Sequence, residues 1–428
     1  MQIKLEYGRS GLSAEIPDAN LVKVLNLSPA EPVADPNAAI EHAIRNPIGA
    51  RSLTELAQGK RDACIVICDV TRPVPNKTLL PPILAALTEA GIPREKVTIL
   101  IATGTHRPNE GAELEGMIGR EIAETCRIVN HVCTDKEAMQ YLGTTDRGTP
   151  VNLNRAYCTA DLRLTVGLIE PHFMAGYSGG RKLIMPGIAA METVQAWHSP
   201  KFLEHPNATN GIVKDNPVHE ESLTIARMRP PDMIVDVTLN QQNEITGIFA
   251  GDLWEAWRAG VAFAEKHVRV PLPEQVDIII TTCAGAPLDA TFYQAIKGMV
   301  GALPVVKPGG SVIIAASCSE GVGSVGFSKA LTDIEDMGVF IDAIQQPDWA
   351  FIPEQWQIEE FGRVVLRNDV YLVCDGIPRE RHPDLFVQAA SSVEDAVAKS
   401  LTKYGPDATI AVIPKGPYVI PYVSVSMA

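Results

Sequence analysis

Seven short apolar, β-rich runs punctuate the chain, and they constrain its fold more than any other feature. ACIVICD, VTILIAT and DLRLTVGLI lie in the first half, and DIIITTC, SVIIAAS, VYLVCDG and TIAVIP in the second. Helical patterns separate them, LLPPILAALTEAG with a stop at Gly91 among them, while PVVKPGG reads as a turn that stops at Gly309 and Gly310. Strands alternating with helices in this way predict an α/β fold on largely parallel sheets flanked by helices.

At 428 residues the chain is long enough for more than one core. The long helical stretch LWEAWRAGVAFAEKH runs into VRVPLPEQ before a fresh strand begins, which sets a boundary near Pro271. The expectation is two domains, an α/β domain over residues 1–270 and a Rossmann-like α/β domain over 271–428, with the active site in the cleft between them. The closing GPYVIPYVSVSMA reads as an extended tail packed on either domain.

Composition narrows the function. With 46% hydrophobic and 21% charged residues the chain is neither a fibre nor a disordered tail. Thirty-seven Lys and Arg against 51 Asp and Glu give a net charge of −14, a field that repels nucleic acids, so an anionic ligand needs a local basic site. No apolar run approaches the roughly 18 residues of a membrane helix, and MQIKLEYGRS lacks the layout of a signal peptide, so a cytoplasmic protein without membrane partners is expected. The eight cysteines form no C-x-x-C pair and read as buried free thiols.

Open α/β sheets bind ligands outside the carboxyl ends of their strands, so the residues that follow each apolar run are the place to look for chemistry. CIVICD runs into VTRPVPN and puts Asp69, Thr71 and Arg72 at one strand end. Arg72 suits a carboxylate or phosphate, or forms a structural pair with Asp69 that caps the loop. His106 in GTHRPN and His172 in EPHF follow two further strands, and imidazole is the natural acid or base at neutral pH. The stretch FMAGYSGGRKLIMPG comes next, with Gly176, Ser178, Gly179 and Gly180 in a loop that could approach an anion closely, helped by the amides of the helix after it. It is not a phosphate loop of the G-x-x-x-x-G-K-[ST] kind, because Arg181 and Leu183 stand at the wrong places. Lys182 is either a point charge for phosphate or a covalent attachment point, and His198 lies close by in sequence. In the second half, YQAIKG carries Tyr293, Gln294 and Lys297, the last two three apart and so neighbours on one helix face. The other six histidines, His42, His131, His205, His219, His267 and His382, read as structural or exposed.

Taken together, DVTRPVP, TGTH, EPHFMAGYSGGRK followed by PG, WHS, YQAIK and the EQW around Trp356 resemble the signatures of the nickel-dependent lactate racemase family, in the same order. The resemblance implies a racemase or epimerase of a 2-hydroxy acid, lactate or a related 2-hydroxycarboxylate. It also implies a cofactor, pyridinium-3-thioamide-5-thiocarboxylic acid mononucleotide, that carries nickel as a pincer complex and is tethered to Lys182 in the first domain. His198 would be the one protein ligand of the nickel, and the glycine loop would cradle the nucleotide phosphate. His106 and His172 match the two acid/base histidines, one for each antipode. Arg72 and Lys297 match groups that hold the substrate carboxylate or the keto intermediate, with Gln294 as a supporting donor. Asp69, Thr71, Tyr293 and Trp356 fall among the cofactor-binding positions. Proteins that synthesise and deliver the cofactor are the implied partners.

Two other readings compete. A nicotinamide-dependent 2-hydroxyacid dehydrogenase would also use strand-end histidines and an arginine, but the chain lacks G-x-G-x-x-G. A cofactor carrier or sensor without turnover would show damage at one of the two histidines, and both are present.

Overall fold

The computed structural model describes residues 1–346 and 348–424. The chain divides into two compact units, Pro29–Lys266 and a second made of Met1–Ser28 together with His267–Ala428. The division falls between Lys266 and His267, a few residues before the expected Pro271, and the first 28 residues group with the second unit. The reason is strand pairing. Leu21–Val24 lies parallel to Ile410–Ile413 and completes the edge of the second unit's sheet, a pairing between segments so distant in sequence that local pattern carries no trace of it.

The unit Pro29–Lys266 is built on a six-stranded sheet. Its strands run in the order Ile245–Gly251, Met233–Leu239, Leu162–Leu168, Ala63–Cys68, Val97–Ala102 and Arg127–Asn130, and only the first pair is antiparallel. Ala63–Cys68 is central, with Ile65, Val66 and Ile67 fully buried, which is why that run is continuously apolar. The chain winds from it to Val97–Ala102 on one side and later returns to Leu162–Leu168 on the other, so the order reverses between Ala63–Cys68 and Leu162–Leu168. The carboxyl ends of these two strands are thus the topological switch point, where an open α/β sheet leaves a crevice.

The second unit has a wholly parallel six-stranded sheet in the order Gln388–Ala389, Asp369–Val373, Val306–Ala315, Val276–Thr282, Ile410–Ile413 and Leu21–Val24. PVVKPGG is not a turn with a stop. Val306–Ala315 runs through it, and the register with Val276–Thr282 shifts there. Gly309 takes φ +78, and a side chain on Gly310 would meet the Asp277 carbonyl oxygen at 2.5 Å, so the glycines build an irregularity within a strand. The tail adds Ile420–Val423, parallel to Arg269–Leu272 in the same unit, and its last four residues lie outside the described ones.

None of the eight cysteines is in a disulfide, and six are buried as expected, whereas Cys68 and Cys133 are half-buried. His131, His219 and His382 are buried. Among the described residues no helix is long and apolar enough to cross a membrane.

Candidate active site

Side chains converge at the switch point of the Pro29–Lys266 unit. Asp69 follows Ala63–Cys68 and is only 5% exposed. One of its carboxylate oxygens accepts the Thr71 hydroxyl at 2.6 Å, and the other accepts His106 Nδ1 at 2.7 Å. Burial pushes the Asp69 carboxyl up, but the charge and hydrogen bond of His106, with Thr71 and Arg72, outweigh it and hold the group below its ordinary value. The loop is braced from behind by Asn109, which accepts the Val70 amide at 3.2 Å and is itself locked to Asn130. Arg72 pairs with a second carboxylate. Its Nε donates to Glu170 at 2.8 Å, across the switch point from the end of Leu162–Leu168. Glu170 escaped the sequence reading, and its only signal there was a place two residues before His172.

The two histidines are held in opposite ways. A carboxylate can only accept, so His106 carries hydrogen on Nδ1, and its neutral ring presents a lone pair at Nε2. His172 accepts the amides of Met174 and Ala175 at Nδ1, both at 3.2 Å, so its neutral ring carries hydrogen on Nε2. Its ring stacks on Phe173 with centroids 5.0 Å apart. The two neutral rings thus differ at Nε2, where His106 offers a lone pair and His172 an N–H.

The glycine loop departs from the expected anion cradle. Ser178 is a bracket: its hydroxyl donates to the Leu168 carbonyl at 2.6 Å and accepts the Glu170 amide at 3.0 Å. The Gly180 amide donates to the buried Asp236 carboxylate at 2.7 Å, and the Ser178 amide to the Glu170 carbonyl at 2.8 Å. A side chain would meet Ile212 O at 2.3 Å from Gly176, Asp236 at 2.7 Å from Gly179 and Trp257 at 3.0 Å from Gly180. The chain's own atoms thus require these glycines. The following helix, Met191–Trp197, gives its first amide to the Cys133 carbonyl at 2.9 Å.

What the loop does achieve is to bring Lys182 and His198 together around Trp197. Lys182 Nζ lies 5.0 Å from the centre of a Trp197 ring, and the His198 ring meets the same side chain edge-on with centroids 4.4 Å apart. Burial, then the charge of Lys182, push His198 down to about 3, so the imidazole is neutral at ordinary pH. Its Nδ1 donates to the Val194 carbonyl at 3.1 Å, which fixes the lone pair on Nε2, the form a metal binds. Among the described residues no three His, Cys, Asp or Glu side chains are grouped to hold a metal. A metal at His198 would therefore need most of its ligands from a cofactor, and a neutral imidazole beside a lysine amine suits a metal-bearing group tethered at Lys182.

The unit made of Met1–Ser28 and His267–Ala428 holds the rest of the expected residues. Tyr293, Gln294 and Lys297 lie on Phe292–Ala302, after Val276–Thr282, and Trp356 opens the helix Gln355–Val365. Trp356 Nε1 donates to the Tyr293 hydroxyl at 3.0 Å, and Gln357 Nε2 to the Tyr293 carbonyl at 2.6 Å. Burial raises the Tyr293 hydroxyl far above its ordinary value. Gln294 keeps a buried side-chain oxygen without a hydrogen-bond partner. Gln355, Gln357, Glu359 and Glu360 are also buried along Gln355–Val365, a polar lining that its amphipathic sequence does not announce.

Fold and side chains together describe an α/β protein in which Asp69, His106, Arg72 and Glu170 meet at the switch point of one sheet, with Lys182 and His198 both at Trp197 in the same unit. Two family models match, the lactate racemase N-terminal domain over residues 7–211 and the lactate racemase C-terminal domain over 273–421. The chain is 36% identical over 421 residues to the lactate racemase of Lactiplantibacillus plantarum, covering 98% of this chain and 99% of that one. To the lactate racemase of Thermoanaerobacterium thermosaccharolyticum it is 32% identical over 421 residues, 98% of each. The solved lactate racemase apoprotein from that organism superposes with a TM-score of 0.92 over 98% of this chain and 100% of its own. A Thermotoga maritima protein, 17% identical with a TM-score of 0.70 over 93% of this chain and 100% of its own, shares the fold. The chain belongs to the lactate racemase family and is an isomerase.

Proposed function

We propose that this chain racemises lactate or a related 2-hydroxy acid by proton-coupled hydride transfer, with a nickel-pincer nucleotide tethered to Lys182 and its nickel held by His198. The observation that supports the reading is the opposed tautomers of His106, held by Asp69, and His172, two residues beyond the Glu170 that holds Arg72. The nucleotide, held at Lys182, would supply an acceptor for hydride from the α-carbon. Arg72, held through Nε by Glu170, binds the substrate carboxylate, with Lys297 and Gln294 as further donors. Tyr293 and Trp356 are cofactor contacts in this reading, and Asp69 and Thr71 act at the cofactor's side by orienting His106.

His106 Nε2 takes the hydroxyl proton of one antipode as hydride leaves the α-carbon, which yields the 2-oxo acid. Asp69 stabilises the imidazolium so formed. Return of hydride to the opposite face, with the 2-oxo oxygen taking a proton from His172 in its imidazolium form, would yield the other antipode. His106 then releases its proton to solvent and His172 regains one, and the other antipode runs the same steps in reverse. The glycine loop serves by fixing Lys182, and any contact with the nucleotide phosphate is secondary to that.

The test uses protein purified from cells that also make the cofactor-synthesis proteins, the expected partners in the cytoplasm. Given one enantiomer of lactate and no added nicotinamide, it should drive the mixture to equal amounts of both, read by chiral chromatography. Oxidation that proceeds only with added NAD would identify a dehydrogenase, and bound cofactor with no conversion of any 2-hydroxy acid a carrier.

A further inference from the structure

One buried charge lies behind the site and has no part in the chemistry above. Asp236 sits in the middle of Met233–Leu239, opposite Gly167 of the neighbouring strand, and is fully buried. One carboxylate oxygen accepts the Gly180 amide at 2.7 Å, and the other has no hydrogen-bond partner. Burial pushes its pKa up to about 7, against the pull of that hydrogen bond and of Arg181. A buried carboxylate so poorly compensated costs stability, and such groups concentrate where function needs them. Its surroundings are shaped to admit it: a side chain on Gly167 or Gly179 would come within 2.6 Å or 2.7 Å of the carboxylate oxygens.

Arg181, the next residue along, is locked inward. It is 1% exposed, its Nη2 donates to the Ala175 and Tyr177 carbonyls at 2.8 Å each, and its guanidinium lies 4.3 Å over a Trp257 ring. Trp257 in turn donates to the Ser178 carbonyl at 2.7 Å. The turn Gly180–Leu183 is too short to adjust internally. Gly180 is pinned by Asp236 and Arg181 is held at Trp257, and from this turn the Lys182 amine lies 5.0 Å from the centre of a Trp197 ring.

We propose that Asp236 is a positioning residue: by accepting the Gly180 amide from beneath the loop, it sets the turn that delivers the Lys182 amine to Trp197. Its purpose, though not its geometry, rests on the reading of Lys182 as the cofactor tether. The role predicted is that of an acceptor, so Asp236→Asn, which keeps an oxygen, should rescue what Asp236→Ala loses.

The experiment is trace acetylation with acetic anhydride of the full chain purified without cofactor, with labelling of Lys182 read by mass spectrometry against Lys201 and Lys214 of the same molecule. In Asp236→Ala the relative labelling of Lys182 should change by roughly tenfold or more, the scale at which a misplaced group loses its geometry, and in Asp236→Asn by less than about twofold. A merely structural carboxylate would alter thermal stability and leave that ratio alone. Labelling within about twofold of the parent in folded Asp236→Ala, or equal changes in Ala and Asn, overturns the proposal. If Asp236→Ala does not fold, Asp236→Ser, whose hydroxyl is too short to reach Gly180, replaces it in the same comparison. In cells that make the cofactor, the intact-mass adduct should fall in Asp236→Ala and persist in Asp236→Asn. A parent protein that carries no adduct sinks the tether reading alone, since the labelling ratio still decides the role of Asp236.

Discussion

Replacing Asp69 with Asn changes one charge and almost no volume, at a residue 5% exposed and 2.7 Å from His106 Nδ1. The Asn oxygen can still accept from Nδ1, so the ring should keep its place while losing the negative partner of its protonated form. A hydrogen bond to a charged group contributes about 1.5–3 kcal/mol, which here would be lost mainly as imidazolium forms. The expected effect is a fall of roughly 10- to 150-fold in the step where His106 takes the hydroxyl proton, with little change in KM. Because the neighbours hold the Asp69 carboxyl below its ordinary value, it stays ionised through the mildly acidic range, and its contribution to stability is lost only at still lower pH. Single-turnover measurements with each lactate enantiomer would show the asymmetry, since only the direction that begins at His106 should slow at oxidation. An Asp69→Asn enzyme as fast as the parent with both enantiomers would refute the reasoning, as would equal slowing of both oxidations.

Glu170→Ala should release Arg72 and raise KM for lactate by roughly tenfold with a smaller effect on kcat, read from steady-state kinetics with both enantiomers. His198→Ala should abolish bound nickel by elemental analysis while intact mass still shows an adduct at Lys182, and retained nickel would name another ligand. His131, 1% exposed, donates to the Ala189 carbonyl and accepts from Asn154, and burial pushes it down to about 4. A depressed histidine contributes stability that is present above the unfolded value near 6.5 and lost as pH falls toward the folded one. It should therefore cost about 2 kcal/mol between pH 7 and pH 5, and urea unfolding of His131→Gln should show a shallower acid slope by that amount.

Legibility followed the reach of the interaction. The strand Ala63–Cys68 and the polar residues beyond it were readable because a buried parallel strand is apolar throughout and its end is where the sheet opens. The strand Leu21–Val24 was not, because its partner lies almost four hundred residues on, near the end of the chain. The histidines at strand ends could be found, but not their opposed tautomers, which depend on a carboxylate from another loop and on amides two and three residues away. The glycine loop is the instructive case. Its composition suggested an anion above it, whereas the contacts that require glycine come from Asp236, Trp257 and Ile212. Asp236 itself sits inside the run MIVDVTL, where nothing local marks it as more than an interruption.

In the proposed mechanism hydrogen leaves the α-carbon as hydride and returns to the same carbon without passing through water. The most direct measurement uses lactate of one configuration bearing deuterium at the α-carbon, incubated in ordinary water with the cofactor-loaded enzyme until both enantiomers are equal. The newly formed enantiomer should carry deuterium, by mass spectrometry after chiral separation. Replacement of the label by solvent hydrogen, in step with inversion, would contradict it and point to deprotonation at carbon.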